Sequence, residues 1–272
     1  MTIAAAVLAL ALAAQDAAID ADRPHVGTGP YVVSPGEVQL ELGVLWQESA
    51  DVRTFASPAL MRVGVVDRIE LRFSSDGLLA RHEGTSDAYG VGNAQLGAKI
   101  RLWGHRDEPL FSVMPTIGFG LASREKGLGA GATDATVTWL IAHSIGPRVH
   151  AEGNYGVGAV GDRAGHFTQH LITGAVVVQT TARVQTYMES ATWTRQERGG
   201  SPVSFIDYGV IAALRPRLLV DAGAFAGVSA AAPNWGVFSG VSFAFAGRDV
   251  HEQLRRGARA DRQRPVFRTQ YN

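Results

Sequence analysis

The chain has 272 residues, no formal net charge and a mean hydropathy of +0.04, with 46% hydrophobic and 18% charged residues. A neutral chain without a dominant basic stripe argues against a nucleic-acid partner. The absence of Cys excludes disulfides and thiolate metal sites. The length suits one large all-β unit or two ordinary domains.

The N-terminus carries an apolar run from Ile3 to Ala14. The run is shorter than the ~20 residues that a helix needs to cross a bilayer. Ala11 and Ala13 form an A-x-A-like cleavage pattern, so we predict a signal peptide at 1–14. No Lys or Arg precedes the run, and a buried helix is the alternative. No later stretch resembles a transmembrane helix, so membrane insertion would have to use strands.

Alternation with period two dominates the chain from Glu37 to Phe245, where helical periodicity is hard to find. In the stretch RIELRF, charged and apolar residues alternate one for one: Arg68, Ile69, Glu70, Leu71, Arg72 and Phe73. Successive strand side chains point to opposite faces. One face of this segment is therefore charged and the other apolar, and EVQLELGVLW at 37–46 divides in the same way.

About twelve strands are predicted, at 37–47, 55–65, 68–76, 92–103, 109–121, 133–145, 148–159, 168–180, 183–192, 203–214, 217–228 and 236–246. Short turns alternate with longer polar or Gly-rich connections, which are predicted at 48–54, 77–91, 122–132, 160–167, 193–202 and 229–235. The strands run to roughly 10–13 residues, against ~5–6 in globular proteins and the ~9–11 that cross a bilayer.

These features are typical of a transmembrane antiparallel β-barrel with short periplasmic turns and longer extracellular loops. We therefore predict an all-β barrel over residues 37–246, with Ile69, Leu71 and Phe73 in contact with outer-membrane lipid. A soluble all-β core is the alternative. Trp46, Trp193 and Trp235 fall at predicted outer strand ends and Trp103 at an inner end, as expected of interfacial girdles. Trp139 falls in mid-strand.

The opposite face of the same strands should line the lumen. The lumen-lining candidates are Glu37, Gln39, Glu41, Arg62, Arg68, Glu70, Arg72, Lys99, Arg101, Glu152, Arg183, Glu189, Arg217 and Asp221. They could form an ion-pair network that fills a narrow barrel, or they could line a solute path. Eight strands leave room only for side chains and 16–18 leave an aqueous channel, so about twelve leaves both possibilities open.

Two flanks lie outside the predicted barrel. Residues 15–36 are rich in Pro and Gly and are predicted to be extended, either as a periplasmic lead-in or tucked into the lumen. Residues 247–272 contain seven Arg and three acidic residues and are predicted to form a basic, disordered periplasmic tail.

Three stretches resemble the MetA-pathway-of-phenol-degradation family of outer-membrane transporters. The matching residues are Asp22, Arg23, Pro24, Pro35, Gly36 and Gln39 to Gly43; then Arg62, Gly64, Asp67, Arg68, Glu70, Leu71 and Arg72; then Gly90, Gly92, Asn93, Leu96 to Lys99, Arg101 and Leu102. The resemblance covers residues 22–103 and continues to Phe245 as strand pattern only. It implies an outer-membrane β-barrel that acts as a channel for hydrophobic or aromatic compounds.

The residues give no pattern typical of catalysis. Ser144 follows His143, but neighbours on a strand point to opposite faces, and no G-x-S-x-G elbow occurs. His166 and His170 would lie ~13 Å apart on a strand, too far to share a metal ion. We therefore predict no catalytic residues, no metal and no cofactor.

Together these observations predict a Gram-negative, porin-like protein of the cell outer membrane, inserted by the assembly machinery for such barrels. Its function would be passive uptake or efflux of small hydrophobic or aromatic compounds through the lumen. Two alternatives remain. One is a closed-lumen outer-membrane barrel with a structural or lipid-modifying role, and the other is a soluble periplasmic β-protein that binds a small apolar ligand.

Overall fold

The computed structural model describes residues 19–104 and 109–245. These residues form strands joined by turns and loops, all paired antiparallel in one sheet. The strands are β1 (Val38–Ser49), β2 (Val52–Ala56), β3 (Ala59–Val66), β4 (Ile69–Ser75), β5 (Leu78–Glu83), β6 (Ser86–Val91), β7 (Ala94–Trp103), β8 (Leu110–Phe119), β9 (Asp134–Ser144), β10 (Val149–Asp162), β11 (Gly165–Thr181), β12 (Val184–Trp193), β13 (Val203–Arg215), β14 (Leu218–Gly227) and β15 (Trp235–Phe245).

Three pairs of short strands each form one long barrel strand. Only two residues separate β2 from β3, β4 from β5, and β6 from β7. Pro58 interrupts the first, where its ring leaves no N–H for the ladder. Gly77 interrupts the second, with a φ of 70° that favours glycine. Counted this way, the sheet is a barrel of twelve antiparallel strands, in agreement with the prediction.

The barrel is closed by its first and last strands. β1 pairs with β15 from Val38 opposite Phe245 to Glu48 opposite Trp235. A closed ladder leaves no sheet edge in the barrel wall, which is the condition for spanning a hydrocarbon layer with strands. We call the end with the connections 67–68, 104–109, 145–148, 182–183 and 216–217 the turn end, and the opposite end the loop end.

Several predicted loops are wrong in length. The segments 48–54, 77–91 and 160–167 are mostly strand, and the chain reverses only at 50–51, 84–85 and 163–164. Their polar or Gly-rich composition suggested loops, yet these residues continue the ladder beyond the apolar part of the barrel. Alternation is not required there because both faces can be polar in water.

The two faces of the wall have the predicted chemistry. Leu71 and Phe73 are 49% and 47% exposed, whereas Arg62 and Glu70 are 1% and 0% exposed. Large apolar side chains thus cover the outer surface of the barrel, and no second sheet covers them in the described part of the chain. A soluble sandwich core is therefore not the architecture of these residues.

The tryptophans agree with the girdle prediction with one exception. Trp46, Trp103 and Trp235 lie on the outer surface, at 41%, 68% and 43% exposure. Trp193 instead faces the lumen, where its ring lies 5.6 Å from that of Phe205. It shares the inward face of β12 with the fully buried Ala191, two residues earlier.

Within residues 19–104 and 109–245, no helix is long and apolar enough to cross a membrane. The predicted signal peptide at 1–14 and the predicted tail at 247–272 lie outside the described residues.

Candidate functional site

The lumen of the barrel contains residues 19–36, which we call the plug segment. The Gly36 N–H donates to the Gly64 carbonyl of β3 at 2.8 Å, and several other backbone N–H groups donate to inward-facing side chains. The pairs are Asp22 and Arg23 with Glu41 (3.2 and 2.9 Å), Val26 and Gly27 with Glu189 (both 2.8 Å), Thr28 with Asn154 (2.6 Å), and Val33 with Glu70 (2.8 Å). Because buried backbone donors need partners, these side chains fix the path of the plug segment.

A charged cluster holds one side of the plug segment against β1, β3, β4 and β7. Arg62 makes two hydrogen bonds of 2.9 Å to the Glu70 carboxylate. The Lys99 ammonium donates to both oxygens of Asp22 at 3.0 and 3.1 Å, and Arg72 donates to Asp22 and Glu70. With Glu41 the cluster contains three carboxylates and three cations, so its charges balance.

Arg23 forms a second anchor on β14 and β15, on the other side of β1 from the rest of the charged cluster. Its guanidinium donates to both Asp221 oxygens at 3.1 and 3.3 Å and to the Ser239 carbonyl at 3.1 Å. The side chain passes directly over Gly43 and Gly240, where an added Cβ would overlap the guanidinium. Glycine is required at both positions because the cation approaches the barrel backbone closely.

Two apolar clusters cover most of the lumen wall from β11 to β15. The turn-end cluster consists of Ile19, Val177, Tyr187, Ile211, Leu219 and Ala244. The loop-end cluster consists of Ala191, Phe205 and Phe225, with Val26, Leu45, Trp193 and Phe238 packed against it. The Phe205 and Phe225 rings lie 5.0 Å apart. The acidic side chains of Glu189, Asp207 and Asp221 separate the two clusters.

A cavity of about 340 Å³ remains beside the plug segment at the turn end. Its apolar wall includes Ile211 and Leu219 of the turn-end cluster, and its polar wall includes His150, Glu152 and Arg183. The volume falls within the ~300–1,000 Å³ typical of small-molecule sites.

The predicted lumen residues fall into three groups by burial. The buried ones are Glu37, Gln39, Glu41, Arg62, Glu70, Lys99, Glu189, Arg217 and Asp221, and the partly buried ones are Arg72, Arg101 and Glu152. Arg68 and Arg183 lie in turns and are exposed. The Arg68 guanidinium donates to the Leu102 carbonyl at 3.4 Å at the turn end, because the chain reverses at Asp67–Arg68.

Sequence reasoning missed Asp22 and Arg23 as lumen residues, because they precede the first strand. The available signal was the D-R-P stretch. Two adjacent opposite charges are costly to bury without partners, so if this segment lies in the lumen, Asp22 and Arg23 must bind charged groups of the barrel wall. Asp207 was missed because its strand is only partly amphipathic.

One serine–histidine contact occurs, at a different histidine from the one in the sequence pair. Ser144 Oγ lies 3.0 Å from His150 Nδ1 across β9 and β10, where the two residues are paired. Among the described residues, no carboxylate hydrogen-bonds to His150, and no group of three or more His, Asp or Glu is arranged to hold a metal ion. The contact therefore lacks the third group that orients a base for nucleophilic catalysis.

The family model for the MetA pathway of phenol degradation matches residues 21–245, from the plug segment to the end of β15. The chain belongs to this family. The predicted resemblance is thereby confirmed and extends over the whole barrel rather than residues 22–103 alone. No curated protein matches the chain in sequence.

Solved structures share the fold of this family member at low sequence identity. The COG4313 outer membrane channel from Pseudomonas putida F1 has a TM-score of 0.63 and 10% identity, covering 81% of this chain and 100% of that one. The NanC porin has a TM-score of 0.55 and 8% identity, and the KdgM porin 0.50 and 9%; each covers 75% of this chain and 98% of its own. The fold is that of outer-membrane channels, in agreement with the predicted location.

Proposed function

We propose that the protein is a passive outer-membrane channel for small hydrophobic or aromatic compounds, with the turn end in the periplasm. The matched family and the channel fold support the general role. The cargo class rests on the lumen wall from β11 to β15, where apolar clusters lie at both ends of the barrel interior. A wall of this kind would offer an apolar compound a favourable surface that water does not provide.

The lumen as described is closed to large hydrophilic solutes, because the plug segment crosses it. The charged cluster ties the plug segment to β1, β3, β4 and β7, and Glu189 of β12 and Asp221 of β14 also bind it. Above and below these two acids, the contacts toward Phe205 and Ile211 are apolar. Apolar contacts are non-directional and can be exchanged for contacts with an apolar solute. We therefore place the solute path between the plug segment and the apolar wall.

The alternative, a closed-lumen barrel with a structural role, is favoured by one observation. The cluster around Arg62 is charge-balanced and buried except for the partly buried Arg72, so the plug segment is firmly held on that side. A channel and a structural barrel differ in whether an apolar compound crosses the outer membrane faster when the protein is present.

Uptake of the fluorescent probe N-phenyl-1-naphthylamine by intact Gram-negative cells tests this difference. Cells expressing the chain should take up the probe several-fold faster than cells with an empty vector. The double variant F205Q/F225Q should lose most of the gain, because it removes the aromatic part of the wall. The control is Thr54→Gln in β2, away from both apolar clusters. Equal uptake with and without folded protein would leave the structural role as the better description.

A further inference from the structure

Four turns at the turn end share one sequence feature. Arg68, Arg148, Arg183 and Arg217 each come directly before the first residue of a strand, namely β4, β10, β12 and β14. The side chains two residues later point into the lumen: Glu70 is buried there, and His150, Gln185 and Leu219 line the turn-end cavity. Since strand side chains repeat with period two, the four arginines lie around the turn-end mouth of the lumen.

These arginines make the turn end basic among the described residues. Arg217 pairs with Glu37 at 3.9 Å, but Arg68, Arg148 and Arg183 are exposed and have no ion pair within the described residues, and Asp67 is the exposed acidic neighbour of Arg68. The loop end is mixed: basic side chains face acidic ones in the pairs Arg53–Glu48, Arg81–Glu83 and Arg198–Asp162, while the exposed Arg124 and Arg163 have no ion pair within the described residues. Predominantly positive charge at the mouth of a low-dielectric cleft raises the local concentration of anions.

The turn-end cavity places one of these arginines beside an apolar wall. Arg183 lies on its rim together with His150, whose Nδ1 is taken by Ser144. Ile19, Val177, Ile211 and Leu219 supply the apolar part of the lining. A guanidinium next to an apolar surface suits a ligand that joins a carboxylate to an aromatic or aliphatic body.

We infer that the turn-end cavity binds small organic anions of this kind, with Arg183 in contact with the carboxylate. The inference rests on the proposed function, because it names the class of compound that the channel would hold at its turn end. The arginines at the turn-end mouth would then concentrate organic anions rather than all apolar compounds, and the cavity would bind them.

Two acidic residues also line the cavity and define the competing outcome. Asp20 already has a partner within the protein, and Glu152 lies on the inner wall, where the charges of Asp22, Lys99 and Asp20 all act on it. Arg183 lies in the turn at the rim, where an entering ligand meets it first. If the acids dominated instead, the cavity would prefer an ammonium group on the same apolar body.

Benzoate, benzyl alcohol and benzylamine test the inference, because they share a ring and differ in charge. Their binding to the purified, detergent-solubilised full chain is measured by saturation-transfer NMR titration. Benzoate should bind most tightly, and Arg183→Gln should weaken it by roughly three- to tenfold while leaving benzyl alcohol unchanged. Arg163→Gln, in the tight turn between β10 and β11 at the loop end, is the matched control. Ala213→Phe, which places a ring in the cavity, should weaken binding of all three.

The outcomes separate this inference from the proposed function. Equal binding of the three compounds, or tightest binding of benzylamine, overturns the inference and leaves the channel for apolar compounds standing. Benzoate binding that is unaffected by Ala213→Phe or by Arg183→Gln places the anion elsewhere and also overturns it. If none of the three compounds binds, both fail. Heat-modifiable migration on a gel shows that each variant is folded.

Discussion

Lys99 shows how fully a single charge is hydrogen-bonded inside this barrel. Its ammonium is completely buried and donates to both Asp22 oxygens and to the carbonyls of Gly29 and Tyr31. It thereby joins the barrel wall to the plug segment at three positions. A buried ion pair adds little net stability compared with apolar residues, but removing one partner leaves the other charge uncompensated.

Lys99→Met should therefore lower the free energy of unfolding by about 3–5 kcal/mol. The measurement is urea unfolding of the protein in lipid vesicles, followed by tryptophan fluorescence. Glu48→Gln removes one partner of the pair between Arg53 and Glu48, which is 3.8 Å long and partly exposed, and it should cost at most about 1 kcal/mol. Similar losses in the two variants would show that the buried cluster is not what holds the plug segment.

Gly27 marks the closest approach of the plug segment to β11 and β12. A Cβ there would lie 2.5 Å from a Glu189 oxygen and 2.7 Å from Thr173 Oγ1. Gly27→Val should displace this part of the plug segment and raise the conductance of the protein in planar bilayers several-fold. Gly174→Val is the control, since no atom lies within 4 Å of its added Cβ. Unchanged conductance in Gly27→Val would mean that ions do not pass the plug segment at this point.

At the scale of elements, the alternation of polar and apolar residues predicted which side chains face the lumen and which face outward. It did so because each face has a single environment along the apolar part of every strand. A register shift of one residue would move every side chain of a strand to the other face. The observed register places Glu41, Arg62 and Lys99 inside the barrel, where they are buried, and Leu71 outside, where it is exposed. The three interrupted strands were not predicted. The strand predicted at 55–65 runs through Pro58 without a break, and Gly77 was predicted to begin a loop. The structure interrupts the strand at both places, yet the ladder continues past them with β2 paired to β5.

The position of the plug segment could not be predicted from its own sequence pattern. Residues 19–36 have no strand or helix periodicity, and their position depends on ten side-chain acceptors and donors spread over the whole barrel. Both a periplasmic lead-in and a lumen segment agree with that composition. Only the closed barrel brings Glu41, Asn154 and Glu189 close enough together to bind one segment.

The orientation of these elements in the membrane can be tested with single cysteines, since the chain contains none. Lys126 lies in the 120–133 loop at the loop end, and Ala182 lies in a turn at the other end. In intact cells a membrane-impermeant maleimide should label Lys126→Cys and not Ala182→Cys. Permeabilising the outer membrane should make both reactive. The reverse labelling pattern would place the turn end outside the cell and contradict the predicted periplasmic turns.

For the whole molecule, the question is which medium surrounds the barrel. Its outer surface combines Leu71 and Phe73, each about half exposed, with tryptophans near both ends of the barrel wall. Transfer of apolar side chains from water to hydrocarbon is favourable, and there is no such stabilisation where water remains in contact with them. The architecture is therefore stable as described only if lipid covers the middle of the barrel.

Arginine substitutions at two depths measure this directly. Phe73→Arg places a charge on the apolar band of β4 and should cost about 2–4 kcal/mol, whereas Val66→Arg at the turn end should cost about 0–1 kcal/mol. Both are 40–50% exposed on the outer surface, so they differ in depth rather than in burial. Urea unfolding in vesicles gives the two values. If water surrounded the barrel, an arginine at either position would lower the free energy of unfolding only slightly. Equal small losses would therefore mean that hydrocarbon does not surround this band.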